Sequence, residues 1–314
     1  MEQEDTKAVI LAAGQGTRMR PLTENHAKPM LPVAGKPIVR HNVELVEDIV
    51  DEVILVGGYR IEELREEFDS EDVRIVEQEE ALGTAHAALQ AKKHIDSKTV
   101  IMNGDDIYGE KAVEAIQEDS AVLASKVDDP GKYGIYRMDG NGDVTGIVEK
   151  PDNPPSRMAN IGFYVVQPEF YEMLEDVEKS ERGEYEITDP LDKYIESHDV
   201  TLVEAERWLP CSYPFQLLNA NRRLLEDDVE SNSLVLEADV GGESAVKGST
   251  VHPGAVVKGD VKNSIIMDNA TIKEGVEVRN SVILPDATVT EDRTEEEKNA
   301  EGVTVDRDEP GLDL

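Results

Sequence analysis

The chain has a single cysteine, Cys211, so no disulfide can close within it and nothing calls for an oxidising compartment. Aromatic residues are only 4% of the 314, with one tryptophan, which leaves Val, Ile, Leu and Ala to build the core. No stretch approaches the twenty or so apolar residues of a membrane span. The opening MEQEDTK lacks the basic-then-apolar pattern of a signal peptide. A soluble, cytoplasmic protein without a membrane partner is expected. Positive charge is scarce as well: 32 Lys+Arg stand against 68 Asp+Glu, a formal charge of −36. That balance excludes nucleic-acid backbones as partners, because like charges would repel.

What is present argues for folding. Blocks of Val, Ile and Leu recur through most of the chain, which is long enough for a sizeable core and two domains. The acid therefore reads as a carboxylate-covered surface adapted to high salt, where concentrated cations screen the self-repulsion.

In the first half, apolar runs read as strands at 8–12, 53–56, 73–76, 100–102 and 121–127. Amphipathic stretches between them read as helices at 38–49, 61–68, 85–94 and 111–117. Further strands are expected at 144–150 and 161–166, and helices at 168–177, 188–197 and 215–228. Such alternation predicts an α/β fold: a Rossmann-like, mostly parallel sheet with helices on both faces. From about residue 234 the texture changes. GSTVHPGAVV (248–257), NSIIMDNATI (263–272) and NSVILPDATV (280–289) are three copies of one pattern, starting 15 and 17 residues apart. Small or β-branched residues recur about every six positions, at Ala245, Val251 and Val257, then Ile266, Ile272, Val278 and Leu284. Gly, Asn or Asp stands at the corners. This is the pattern of a short parallel β-helix of stacked triangular coils. The expected division is 1–230 for the α/β domain, 231–290 for the β-helix and 291–314 for a charged, mobile tail.

The first loop is where the scarce cations gather. LAAGQGTRMRPLT (11–23) ends an apolar run in two glycines and an arginine, and KPMLPVAGKPI (28–38) follows. Glycine lets backbone N–H groups approach a bulky anion, and Arg18 offers a forked donor for phosphate oxygens. Met19 stands where a dinucleotide fingerprint needs its third glycine, and no Gly-Lys-Ser/Thr follows as in a P-loop. From spacing alone this is a phosphate-handling loop or an ordinary glycine-rich turn.

Together the two segments closely resemble the signature of the sugar-1-phosphate nucleotidyltransferases. Further blocks match in order: QEEALGTAHA (78–87), NGDD (103–106), KYGIY (132–136), IVEKP (147–151), NIGFY (160–164), RGEYEITD (182–189), and Trp208 with LLNANRRLL (217–225). The resemblance spans about residues 7–228, and the repeats resemble the left-handed hexapeptide β-helix that many members append. It implies transfer of a nucleotide from UTP or dTTP to a hexose 1-phosphate, such as glucose or N-acetylglucosamine 1-phosphate, with Mg²⁺ as cofactor. The nucleophile is then an already ionised phosphate oxygen. Catalysis becomes positioning plus positive charge.

By that resemblance, Leu11, Ala12, Ala13, Gly14, Gly16 and Thr17 would hold the nucleotide, and Gln78, Gly83 and Thr84 would read its base. Arg18 would neutralise the departing pyrophosphate, and Lys28 would stabilise the crowded α-phosphorus. Asp105 would ligate Mg²⁺. Tyr133, Gly134, Glu149 and Asn160 would contact sugar hydroxyls, and Lys150 would bind the sugar phosphate. A plain partner of Lys150 is the alternative reading of Glu149. The six histidines show no ligand spacing and read as surface or packing residues, as Trp208 reads as packing.

The match breaks at one place. Members commonly carry a W-x-D-x-G-T/Y-P segment whose aspartate is a second metal ligand, whereas this chain reads WLPCSYPFQ (208–216). Pro210 occupies the aspartate's place, and Gln216 stands where an acid is frequent. Two readings stay open: an active transferase with a relaxed Mg²⁺ site, or a paralogue that binds nucleotide or sugar as a regulatory or assembly subunit. Some members use a long β-helix for acetyl transfer. That chemistry needs many coils and a basic histidine between subunits; here about three or four coils fit and His252 is their only histidine. Subunit packing in a homo-oligomer is the expected use of the repeats.

Overall fold

The computed structural model describes residues 5–180, 183–228, 232–242, 244–294, 298–299 and 302–304. Its contacts divide the chain into two units, Met1–Gln15 with Val39–Trp208, and Gly16–Ile38 with Leu209–Leu314.

The first unit is a nine-stranded sheet. Its strands are β1 (Thr6–Ala12), β2 (Glu52–Gly57), β3 (Val73–Glu77), β4 (Lys98–Asn103), β5 (Ala121–Lys126), β6 (Gly134–Met138), β7 (Val144–Glu149), β8 (Met158–Val166) and β9 (Thr201–Glu204). The order β7-β6-β8-β4-β1-β2-β3 runs along the sheet, with β5 pairing β8 and β9. Strands β4, β1, β2 and β3 are mutually parallel. The near-continuous Val, Ile and Leu runs of β4, β1 and β2 suit strands buried on both faces, whereas β3, at the end of the order, keeps Arg74 and Glu77 exposed. Strands β6, β7 and β8 add an antiparallel edge. Helices α3 (Thr84–Gln90), α4 (Lys111–Ile116) and α6 (Thr188–Ser197) pack on β1, β5 and β7. Helices α1 (Ile38–Val46), α2 (Ile61–Glu67) and α5 (Phe170–Glu175) complete the crossovers. The core gathers Val9, Ile54, Ile101, Tyr136, Tyr164, Phe170 and Tyr194.

The expected helix at 85–94 is two pieces, α3 and the 3-10 turn Lys92–His94, and the expected helix at 38–49 stops at Val46. Strands β6 and β9 are additions to the expected set. Of the RGEYEITD block, Arg182 lies outside the described residues.

In the second unit, the helix Pro214–Asp228 lies beside a prism of three parallel sheets. One face stacks Leu234, Thr250, Ile265 and Val282, the next Asp239, Val256, Thr271 and Thr288, and the third Val246, Val261 and Val278. Residues with positive φ make the corners: Gly248, Asn263 and Asn280 at one, Gly254, Asn269 and Asp286 at another. Asn, Asp and Gly tolerate that left-handed geometry best. Beside the first corner, Ser249 Oγ accepts the Ser264 N–H at 3.0 Å, and Ser264 Oγ accepts the Ser281 N–H at 3.1 Å. All three serines are fully buried, so the ladder ties successive coils at the polar edge of an apolar core.

The six-residue period slips in register at both ends. Val251, Val257, Ile266, Ile272 and Val278 do point inward, but Ala245 is exposed and Leu284 half-buried. Ile283 and Val289 fill the core beyond Val278, and Val246 packs against it from the other side. Corners absorb a variable number of residues, so a strict period drifts by one. Of the expected 291–314 tail, Lys298–Asn299 and Gly302–Thr304 pair with each other, and Gly302–Thr304 with Ser281–Ile283. Residues 295–297, 300–301 and 305–314 lie outside the described ones.

Candidate active site

The first unit brings its expected nucleotide residues to one edge of the sheet. Leu11 and Ala12 close β1, opposite Asn103 and Gly57 at the ends of β4 and β2. The Gly104 N–H donates to the Leu11 carbonyl at 2.8 Å, and the Gln78 N–H donates to the Gly57 carbonyl at 2.7 Å. Ala13 and Gly14 thus follow the C-terminal end of β1, Gln78 that of β3 and Asp105 that of β4, the edge where open α/β sheets bind ligands. Gly14 is exposed, with nothing within 4 Å of where a Cβ would be. The backbone there is bare for a ligand to approach.

Gln78 is buried and engaged. Its Nε2 donates to the Gly83 carbonyl at 3.3 Å and lies 2.8 Å from His86 Nδ1. With the ring in the tautomer that leaves Nδ1 bare, the amide donates to it and its oxygen is held in a fixed direction. His86, read from sequence as surface or packing, is therefore part of this constellation. Its signal was its place inside the QEEALGTAHA block. Gly83 has φ 113°, and a Cβ there would lie 2.4 Å from the Tyr185 carbonyl oxygen, so only glycine fits. Thr84 Oγ1 accepts the Ile187 N–H at 3.2 Å, tying the start of α3 to the start of α6.

Asp105 is half-buried in the turn after β4, and Asp106 is buried at the start of the strand Asp106–Tyr108 that follows. Asn42 Nδ2 holds that turn by donating to the Asp106 carbonyl at 2.8 Å and the Asn103 carbonyl at 3.2 Å. Across the turn, the Tyr108 hydroxyl donates to the Ile161 carbonyl at 2.8 Å. Burial, with the nearby Asp106 and Asp105 carboxylates, pushes the Tyr108 hydroxyl well above the usual tyrosine range, so it stays a neutral donor. Among the described residues no group of three or more His, Cys, Asp or Glu side chains is arranged for a metal ion. Asp105, a hard oxygen ligand at the sheet edge, fits a Mg²⁺ that takes one or two protein carboxylates and the rest from phosphates and water.

The expected sugar residues sit together on the antiparallel edge. Gly134 pairs with Glu149, and a Cβ on Gly134 would lie 3.1 Å from Glu149 Oε2. The Lys150 N–H donates to the Tyr133 carbonyl at 3.0 Å. Lys150 Nζ lies 3.3 Å from Glu149 Oε1, an exposed pair worth little by itself. Asn160 is committed to its own wall: its Oδ1 accepts from Tyr136 at 3.3 Å and the Gly162 N–H at 2.9 Å, while Nδ2 donates to Tyr164 at 2.9 Å. Trp208 packs edge-on against Tyr133, centroids 5.8 Å apart, as packing predicts.

The second unit carries Gly16, Thr17, Arg18 and Lys28. Gly16 has φ 61°, and a Cβ there would lie 2.8 Å from Lys28 Cβ, so the glycine lets the two signature segments touch. Its carbonyl accepts the Thr23 hydroxyl at 2.7 Å. Thr17 and Arg18 are exposed on a 3-10 turn, whereas Lys28 is only 7% exposed. Lys28 Nζ donates to Ser212 Oγ at 3.3 Å, and the Arg18 guanidinium lies 5.6 Å from the Tyr213 ring centroid. Ser212 and Tyr213 are the partners here of the two expected cations, and nothing local in the sequence links them to positions 18 and 28. Pro210 is buried in a short strand, Trp208–Pro210.

A family model described as nucleotidyl transferase matches residues 7–226. The chain belongs to that family. As a nucleotidyl transferase it also carries a second match, to a GlmU-like C-terminal hexapeptide over residues 232–297. The bifunctional protein GlmU of Methanocaldococcus jannaschii is 37% identical over 221 residues, 70% of this chain and 54% of that protein. The chain spans about half the length of such relatives. The UTP–glucose-1-phosphate uridylyltransferase AglF of Haloferax volcanii is 34% identical over 72% of this chain and 99% of its own length. Among solved structures, a Bacillus anthracis protein named as a glucose-1-phosphate thymidylyltransferase and crystallised with a sucrose aligns with a TM-score of 0.63. It is 26% identical, over 72% of this chain and 96% of its own.

Proposed function

We propose that this nucleotidyl transferase joins UTP or dTTP to a hexose 1-phosphate, glucose or N-acetylglucosamine 1-phosphate, and releases pyrophosphate. The observation that supports it most is the placing of Leu11–Gly14, Gln78 and Asp105 at the C-terminal ends of β1, β3 and β4, three strands of one parallel set. A base held by Gln78 and Gly83 and a triphosphate held by the glycine-rich turn is the ligand such an edge suits. Thr84 and Thr17 would complete that grip.

In this reading the sugar phosphate oxygen attacks the α-phosphorus directly and needs no general base. Lys28 carries the charge that gathers on the α-phosphate, and Arg18 that of the leaving pyrophosphate. Lys150 binds the sugar phosphate; Tyr133, Gly134, Glu149 and Asn160 face the sugar. Magnesium, held by Asp105, would neutralise phosphate charge. We also place the functional boundary near residue 230, with the β-helix packing subunits of a cytoplasmic homo-oligomer and 291–314 as a tail.

The deciding experiment is a matrix of UTP, dTTP, ATP and GTP against several sugar 1-phosphates, read as pyrophosphate release in molar KCl with Mg²⁺. Turnover with a pyrimidine nucleotide and a hexose phosphate is the expected result. Pro210 favours a second reading, since a proline side chain ligates no metal. Measurable nucleotide binding without turnover of any sugar phosphate would select that reading, a binding subunit.

A further inference from the structure

The two cations of the signature lie 10 residues apart in sequence, yet both are met by one dipeptide almost two hundred residues on. Lys28 Nζ donates to Ser212 Oγ at 3.3 Å across 184 positions, and the Arg18 guanidinium lies over the Tyr213 ring at 5.6 Å. Tyr213 is 39% exposed, one of two large hydrophobic side chains so open among the described residues, and it stacks on Phe215 with centroids 5.5 Å apart. The dipeptide is itself pinned. Gln216 Oε1 accepts the Ser212 N–H at 2.9 Å and the Tyr213 N–H at 3.1 Å. This is the reach-back of a capping box, with Gln216 as third residue of the helix Pro214–Asp228. An amide oxygen makes both bonds without adding negative charge beside two cations, which an acid at 216 would do.

We propose that the Ser212–Tyr213 turn, fixed by Gln216, is a cation-positioning platform: Ser212 sets the Lys28 ammonium and Tyr213 the Arg18 guanidinium for a polyphosphate. Neither residue touches reacting atoms in this role; both are positioning residues. The inference rests on the proposed function only for its consequence in turnover, and its binding test stands apart from it. An aromatic face under a guanidinium orders a side chain that would otherwise sample many rotamers. A hydroxyl orients an ammonium on a flexible stem in the same way.

The test is calorimetric binding of inorganic pyrophosphate, in the KCl concentration that keeps the chain folded, with glucose 1-phosphate binding and melting temperature measured alongside. Tyr213→Ala should weaken pyrophosphate binding roughly three- to tenfold, while Tyr213→Phe, which keeps the ring, stays within about twofold of the parent. Ser212→Ala should lower kcat more than it raises KM, and Ser212→Thr, which restores a hydroxyl, should recover it. Gln216→Glu should weaken pyrophosphate binding with the fold intact. Equal pyrophosphate affinity in Tyr213→Ala and parent, or equal damage from Phe and Ala, overturns the platform. So does a parent chain that binds no pyrophosphate. If the parent binds pyrophosphate with these variant effects but turns over no sugar phosphate, the platform stands and the catalytic reading falls.

Discussion

Asn42 donates its side-chain amide to the carbonyl of Asp106 at 2.8 Å, from a helix position with no solvent exposure. The same amide reaches Asn103 at 3.2 Å, so one buried group brackets the turn that carries Asp105. Its own Oδ1 has no partner, which makes the site sensitive to any change. Asn42→Ala should cost about 1–3 kcal/mol of stability by removing the buried donor that the Asn103 and Asp106 carbonyls share. Asn42→Asp should be worse, because a buried carboxylate would face two carbonyl oxygens. Denaturant unfolding checks both; equal stability of parent and Asn42→Ala would show that the turn holds itself.

Gly83→Ala gives a sharper steric prediction. The new methyl would lie 2.4 Å from the Tyr185 carbonyl oxygen and 2.8 Å from its nitrogen, at a φ of 113°. Backbone cannot yield as a flexible side chain can, so the Gln78–Thr84 segment, proposed to read the base, must move. The expected outcome is loss of at least tenfold in nucleotide affinity, together with a cost of a few kcal/mol in stability. Calorimetric titration with UTP measures the first and thermal unfolding the second.

His252 predicts a pH dependence in the second unit. It is buried in the prism, its Nε2 has no partner, and burial lowers its pKa against a smaller upward pull from Asp268. The neutral ring is the folded form, while the unfolded chain binds a proton near the usual 6.5. The unfolded state therefore holds more protons, and stability falls as pH drops through about 6.5, levelling below the folded value. Removing the titration with His252→Asn should flatten melting temperature between about pH 7 and pH 5 relative to the parent. Parallel curves for the two proteins would contradict this.

The net charge of −36 carries its own prediction. Self-repulsion at low ionic strength should lower the melting temperature, and molar KCl should raise it by many degrees as screening shortens the range of the field to about 3 Å. A melting temperature unchanged between low and molar KCl would remove the salt-adaptation reading.

Much of this was legible in the chain because apolar runs and helical spacing are local signals. The four parallel strands and their crossovers follow from blocks such as Val53–Val56 and Val100–Met102. Strand β6 is not legible because Gly134–Met138 opens on a glycine and ends on the half-buried Arg137 and Met138, and its two neighbours, β7 and β8, are both later in the chain. The β-helix was visible from its repeats, but not the slip that turns Ala245 outward and Ile283 inward, since corner length is a property of stacked coils. In the site, the glycines and cations announced themselves by motif. The His86 contact to Gln78, the Gln216 cap and the Ser212 contact to Lys28 did not, because each depends on where a distant or neutral side chain ends up.

The most direct measurement is pyrophosphate yield set against nucleotide-sugar yield, for the parent and Lys28→Ala. The account predicts one pyrophosphate per nucleotide sugar, formed only when a hexose 1-phosphate is present, and a loss of at least a hundredfold in Lys28→Ala. Pyrophosphate or phosphate released without the sugar, or an undiminished rate in Lys28→Ala, would contradict it.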